Sequence, residues 1–306
     1  MAKYDLTWMN TQAKTDPAGF IASCEEHYQN QINAVAEQLV LRQKTHPIVL
    51  LCGPSSSGKT TTADRLRRAL HQKGVRVETI SMDDYYLSRG EYQVPWDEEN
   101  NVPDFESPLC MELPLLHDHL AKLAQGGEIA IPTFDFATKQ RTKQVKTLSL
   151  SGDEMVVIEG IHAFNHVITG GLEQISTGVY ISLNSEVDMD GWVLTSDQLR
   201  FYRRAVRDAN FRGAPVDITI QQWKSVRRGE RMYIDPVCHT AAYKIDSYIP
   251  YETCILCGIL QNKLGQYEEN LLAAGLQGAV RGLNQFEPID YLPYIPESSV
   301  LHEFIG

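Results

Sequence analysis

Apolar residues recur along this chain in two rhythms, a three-to-four-residue step and short bounded runs. Ile21, Cys24, Tyr28, Ile32, Val35 and Leu39 follow the first rhythm and predict one amphipathic helix over 17–44. Asp16 is its cap and Pro17 its first helical position. The run from Pro47 to Cys52 is apolar and bounded, as a buried strand should be. Residues 61–72 return to helical spacing through Ala63, Leu66, Ala69 and Leu70. Residues 75–81 alternate and predict a second strand. Residues 88–105 are polar, with Pro95, Trp96 and Pro103, and predict a long loop or hairpin. A helix is expected to open at Ser107-Pro108 and reach about residue 125, where Gly126 and Gly127 stop it. Residues 129–150 alternate around Lys139–Thr142, which suggests a hairpin. Met155 to Ile158 is a third strand ending in Glu159 and Gly160, and residues 178–183 are a fourth. Helices are expected over 195–212 and 215–228, a fifth strand over 247–252, and one helix over 266–282 before a Pro-rich tail.

Strands alternating with helices predict a three-layer α/β/α domain around a mainly parallel sheet. We divide the chain into an N-terminal helical extension (1–45), a core (46–260) and a C-terminal helical extension and tail (261–306). Within the core, 88–150 forms a hairpin region and 195–231 an arginine-rich helical lid. Ligands of such sheets bind beyond the carboxyl ends of the strands.

At that rim the sequence carries its most specific motif. Residues 53–60 read Gly53-Pro54-Ser55-Ser56-Ser57-Gly58-Lys59-Thr60, a complete G-x-x-x-x-G-K-[ST] phosphate loop between a predicted strand and a predicted helix. The glycines let backbone N–H groups turn toward phosphate oxygens, and the helix N-terminus adds its positive end. Lys59 is placed to reach the β- and γ-phosphates and the Thr60 hydroxyl to ligate Mg²⁺. Glu159, at a strand end, is placed like an acidic residue that helps hold that metal. Asp83 or Asp84, just after the second strand, is a candidate base for an attacking hydroxyl.

Composition narrows the partners. The 306 residues carry a net charge of −11, with a pI near 5.3, which argues against a general nucleic-acid binder. The charge is uneven: residues 200–231 hold eight Arg and one Lys against three acids. Such a basic island in an acidic chain suggests a local anion site, which the phosphates of a nucleotide would fill. Mean hydropathy is −0.28 and no apolar run approaches 18 residues, so no membrane span is expected, and no signal peptide is evident. Six scattered cysteines suit a reducing cytoplasm. Cys254 and Cys257 form a lone C-x-x-C with no second pair, and His162 and His166 lack the H-E-x-x-H pattern, so neither pair predicts a metal site.

Five blocks in order resemble the uridine kinase family, within the uridine kinase/phosphoribulokinase superfamily. They are the loop at 53–60, Ser81–Tyr86, Asp104–Pro108, Phe134–Phe136 and Ile158–Gly160, followed by Arg203–Asp208 and Arg212-Gly213. Residues 223–230 and 298–304 resemble a bacterial nucleoside-kinase branch. The resemblance implies an ATP- and Mg²⁺-dependent kinase acting on a small-molecule alcohol, with uridine or cytidine the default acceptor; it leaves homo-oligomer formation open. It implies Asp83 as the base toward a nucleoside 5′-hydroxyl, and Thr60 and Glu159 as the Mg²⁺ residues. ATP would be held by the loop from Gly53 through Thr61, including Lys59, with Arg204 and Arg207 from the lid; Lys59 and Arg207 would serve the chemistry. Tyr86, Phe105, Glu106, Phe134, Phe136, Lys139, Arg204 and Arg212 would surround the acceptor. Glu106 stands where the family places an Asp on the ribose hydroxyls. Phe134 replaces a family Tyr, Lys139 a His, and Ala214 an Arg, so three base-reading positions change together. Phosphorylation of an alcohol therefore stands firmer than uridine as its acceptor. The alternatives are a kinase of the same fold acting on another nucleoside, a sugar or a polyol and, less favoured, a noncatalytic nucleotide-binding regulatory protein; for a GTPase, Asn262-Lys263-Leu264-Gly265 misses the Asp of N-K-x-D.

Overall fold

The computed structural model describes residues 3–150, 153–290 and 293–306. Five strands build the central sheet: β1 (Ile48–Cys52), β2 (Arg76–Ser81), β3 (Glu154–Gly160), β4 (Ser176–Ser182) and β5 (Tyr243–Asp246). Their spatial order is β5-β4-β1-β3-β2 and every pairing is parallel. Parallel strands are covered on both faces, which is why β1 reads as an unbroken apolar run. Successive side chains still alternate. Val49 and Leu51 enter one core with Val157, Val179 and Ile181, while Ile48, Leu50 and Cys52 enter the opposite core with Val156 and Ile158.

The first core is closed by α1 (Leu6–Thr15), α2 (Pro17–Arg42), α3 (Lys59–Gln72), α5 (Ser196–Phe211), α6 (Val216–Tyr233) and α7 (Tyr251–Leu264). The second is closed by α4 (Leu113–Ala124) and the hairpin at 129–148. The predicted stripe of α2 is buried throughout, and Asp16 caps the helix by accepting the Gly19 N–H at 2.9 Å. Among the described residues no helix is long and apolar enough to cross a membrane.

Four expectations change. The helix expected over 107–125 is two pieces, a short 3₁₀ turn at Pro108–Cys110 and α4. Pro114 forces the break: in a helix interior its ring would strike the carbonyl four residues back, so it sits in the first turn of a new helix. The fifth strand is not 247–252 but Tyr243–Asp246, where Ile245 pairs with Ile181. Residues 251 onward form α7, whose Tyr251, Cys254, Ile255, Leu256 and Cys257 are all buried. Residues 251–257 are buried all round, and such a stretch shows no amphipathic rhythm. The segment 266–282 splits into Glu268–Ala273 and Gln277–Gly282, because Gly275 takes a left-handed φ of 77°. Finally, Lys3–Asp5 forms a strand that was not foreseen, parallel to Glu186–Asp188 in a small second sheet.

Candidate active site

Register brings the functional segments to one rim. Glu159 pairs with Ser81 and Gly160 with Cys52, so β1, β2 and β3 end level. β1 runs directly into the phosphate loop and the loop into α3. A Cβ at Gly53 would collide with the Ile181 carbonyl oxygen, so only glycine lets the loop leave the sheet here. Ser56 and Gly58 take left-handed φ values of 60° and 84°, which folds the loop back over the start of α3. Ser55, Ser56 and Ser57 are buried, and the hydroxyls of Ser56 and Ser57 have no partner among the described residues. Lys59 is buried too, its Nζ donating to the Pro54 carbonyl at 3.0 Å. A cradle with unmatched hydroxyls, an ammonium and the free amides of a helix N-terminus suits a polyphosphate.

Beside it the Thr60 hydroxyl donates to Glu159 Oε1 at 3.1 Å, and Ser81 Oγ donates to the same oxygen at 2.6 Å. Burial, with Asp83 adding repulsion, pushes the Glu159 carboxyl up to about 7, while Lys59 and Ser81 oppose the rise. A hydroxyl and a carboxylate side by side are hard oxygen donors of the type Mg²⁺ takes.

The acids at 83 and 84 lie on a 3₁₀ turn, Met82–Tyr85, that continues β2. They diverge. Asp84 Oδ1 accepts the Phe134 N–H at 3.2 Å, which ties it to the hairpin, and burial raises its pKa. The Asp83 carboxylate accepts no hydrogen bond from the described residues and lines the cleft shared with Lys59, Thr60 and Glu159.

A second cleft adjoins the first, and Tyr86, Glu106, Phe136, Arg204 and Arg212 line both. Its wall is aromatic: Phe134 and Phe136 meet edge to face at 5.0 Å, and Tyr86 lies 5.7 and 5.8 Å from them. The Arg212 guanidinium sits 4.4 Å above the Phe136 ring. Phe105, Lys139 and Ala214 also line this cleft, Lys139 at a left-handed turn position of the hairpin. Burial raises the Glu106 carboxyl, and Arg204 at 3.8 Å works against that rise.

The arginine island divides in two. Arg200 pairs with Glu230 and Asp197, Arg203 with Glu252, and Arg228 with Asp97 and Asp104. These brace the fold, and ten consecutive residues of α5, Leu199 to Asp208, are buried. Arg204, Arg207 and Arg212 face the clefts and converge on Asp208 at 3.2, 2.8 and 3.7 Å. Burial would raise the Asp208 carboxyl, but those three guanidiniums outweigh it and hold it down at about 2. Arg204 also donates to Ser55 Oγ at 2.7 Å, joining the helix to the phosphate loop.

Three residues of this site escaped the sequence reading. Ser81 is visible in hindsight as the strand end before the acids, and Asp208 as the one acid between Arg200 and Arg212. Glu303 accepts the Thr61 N–H and hydroxyl from 242 positions away; it lies in the block at 298–304 that resembles the nucleoside-kinase branch, but nothing in that block ties it to the phosphate loop. Cys254 and Cys257 are core thiols whose pKa burial raises, His166 is exposed beside Glu173, and His162 is buried.

A phosphate loop, acids beyond two neighbouring strand ends and facing arginines, all at one rim of this sheet, define a P-loop kinase. Residues 48–251 match the model of the phosphoribulokinase/uridine kinase family. The chain is 30% identical over 243 residues to uridine-cytidine kinase-like 1 of Mus musculus, an alignment covering 78% of this chain and 40% of that protein. It is 28% identical over 190 residues to a uridine kinase of Borreliella burgdorferi (strain ZS7), covering 62% of this chain and 81% of the relative. The alignment thus spans well under half of the mouse protein. A solved structure from Silicibacter sp. TM1040, assigned as a candidate fructose transport system kinase, shares the fold with a TM-score of 0.52 at 17% identity, over 70% of this chain and 98% of that one. The chain belongs to the phosphoribulokinase/uridine kinase family.

Proposed function

We propose that this chain is an ATP- and Mg²⁺-dependent kinase that transfers a γ-phosphoryl group to an alcohol, most readily the 5′-hydroxyl of a nucleoside such as uridine or cytidine. One observation carries the reading: Asp83, a carboxylate that accepts no hydrogen bond from the described residues, sits in the phosphate cleft next to the residues that open into the aromatic one. A hydroxyl entering from the adjoining aromatic cleft would reach a cleft that holds both a base and the phosphate-binding residues. Lys59 and the loop amides hold the donor; Arg204 and Arg207 carry charge onto the transferred group. Thr60 and Glu159 would hold Mg²⁺, which supplies charge neutralisation on the phosphates. Tyr86, Phe105, Phe134 and Phe136 offer faces on which a planar ring stacks, and Glu106 offers a carboxylate for sugar hydroxyls. The names of the mouse and Borreliella relatives support the nucleoside.

A second acceptor class keeps the same chemistry. Phe134, Lys139 and Ala214 all line the acceptor cleft, so the hydrogen-bonding groups that the family resemblance leads one to expect there are changed in one place. A sugar or polyol acceptor follows if ring recognition is lost. The protein belongs in a reducing cytoplasm on this reading, and its six unpaired cysteines, five of them buried, support that. The deciding experiment is ADP release with ATP and Mg²⁺ across nucleosides, sugars and polyols. Stimulation by uridine or cytidine well above every sugar is expected. Stimulation by a sugar or polyol alone transfers the assignment to the second class, and ADP release that no alcohol stimulates refutes both.

A further inference from the structure

The C-terminal segment is built into the nucleotide end of the site. Arg65 Nε, on α3, donates to the Ser298 carbonyl at 2.6 Å, and Ser299 Oγ shares a 2.9 Å hydrogen bond with the Tyr251 hydroxyl. Val300, Leu301 and Phe304 are fully buried. The Phe304 ring lies 5.0 Å from the Arg203 guanidinium, and its carbonyl accepts from Asn210 at 3.0 Å. Between these anchors Glu303 projects into the phosphate cleft, which it lines with Lys59, Thr60, Glu159 and Arg207. Its Oε2 accepts the Thr61 hydroxyl at 2.9 Å and the Thr61 N–H at 3.3 Å.

Thr61 is the third residue of α3, so its N–H is one of the four that no helix carbonyl can satisfy. In a phosphate loop such groups face the anion. A carboxylate and a phosphate oxygen cannot accept the same hydrogens, and two anions in contact repel. We propose that Glu303 sets nucleotide affinity by competing, from within the chain, with the nucleotide's phosphates for the Thr61 N–H and hydroxyl. This rests on the assignment of the loop at 53–60 as the nucleotide site. The consequence is a site that holds ADP less tightly than its cradle alone would, which favours product release.

The test is calorimetric titration of the full chain with ADP, with and without Mg²⁺. Glu303→Gln keeps the shape and removes the charge; Glu303→Asp keeps the charge and withdraws it from Thr61. Glu303→Gln is expected to tighten ADP binding roughly tenfold, the scale of one charge-assisted hydrogen bond, with Glu303→Asp between it and the wild type. The gain should persist without Mg²⁺ and shrink with added salt. Damage to the fold weakens binding, whereas only the loss of a competitor tightens it. Unchanged or weaker ADP binding in Glu303→Gln overturns the inference and leaves the kinase assignment standing. Weakening confined to Mg²⁺-containing buffer overturns it in favour of a metal-handling role. A wild type that binds no ADP overturns both.

Discussion

Replacing Arg203 by Met should destabilise the protein by about 3–5 kcal/mol, the cost of stranding one partner of a buried ion pair. Arg203 is wholly buried and grips Glu252 with two bonds, Nε to Oε1 at 2.8 Å and Nη2 to Oε2 at 2.6 Å. Glu252 is itself 1% exposed, and burial already raises its carboxyl against the pull of Arg203. Without the guanidinium that carboxylate has neither water nor cation. The guanidinium also donates to the Ser247 carbonyl at 2.6 Å and to the Ser56 carbonyl at 3.3 Å. Adding Glu252→Leu removes the stranded charge. The double variant should then recover all but the loss of those two carbonyl contacts, about 1 kcal/mol each. Urea unfolding with linear extrapolation measures all three proteins. A single-variant loss below about 1 kcal/mol, or a double variant no better than the single, refutes the view that Arg203 braces the fold through its charge pairing.

Three further outcomes are expected. Lys59→Ala should lower turnover by roughly 10²-fold or more through lost charge stabilisation at the phosphates, and near-normal turnover in a steady-state assay would remove the loop from the mechanism. Asp83→Asn should cut turnover by about 10²–10⁴-fold with little change in ATP affinity, while Asp84→Asn should act through the hairpin it anchors at Phe134; the reverse ranking shifts the base to Asp84. His162 sits 1% exposed with Nε2 against the Glu106 carbonyl at 2.9 Å, and burial lowers its pKa to about 4 from an ordinary 6.5. Its neutral form therefore supports the fold fully above pH 6.5, and that support is lost as pH falls toward 4, by up to about 3 kcal/mol. His162→Gln should flatten that limb of the stability–pH curve, and a curve that keeps its full slope there discounts the buried imidazole.

Four strands of the central sheet and the phosphate loop between β1 and α3 were legible because their signals are local. A bounded apolar run, a glycine-framed loop and a helical stripe each arise from neighbours in the chain, so β1, the loop and α3 can be read one after another. The misplaced fifth strand and the divided helices show where locality fails. The first two turns of α7, residues 251–257, are buried on every side, which erases the periodicity that marks a helix, and Pro114 and Gly275 break segments whose apolar spacing continues past them. The arginine island was visible as charge, but its division was not. Arg203 and Arg204 are adjacent, and only packing sends one to Glu252 and the other to Ser55 and Glu106.

By itself, then, the sequence determined that a polyphosphate cradle opens a parallel sheet, since glycine, lysine and threonine at that spacing have few other uses between a strand and a helix. It also presented a pair of acids, at 83 and 84, without separating them. The tertiary structure made that separation: the hairpin claims Asp84 through the Phe134 N–H, and Asp83 stays in the cleft. It alone brought Ser81 to Glu159, Asp208 among the arginines and Glu303 onto Thr61. Those contacts join residues 78 and 242 positions apart in the first and last cases, and only the folded chain brings side chains at such separations into contact.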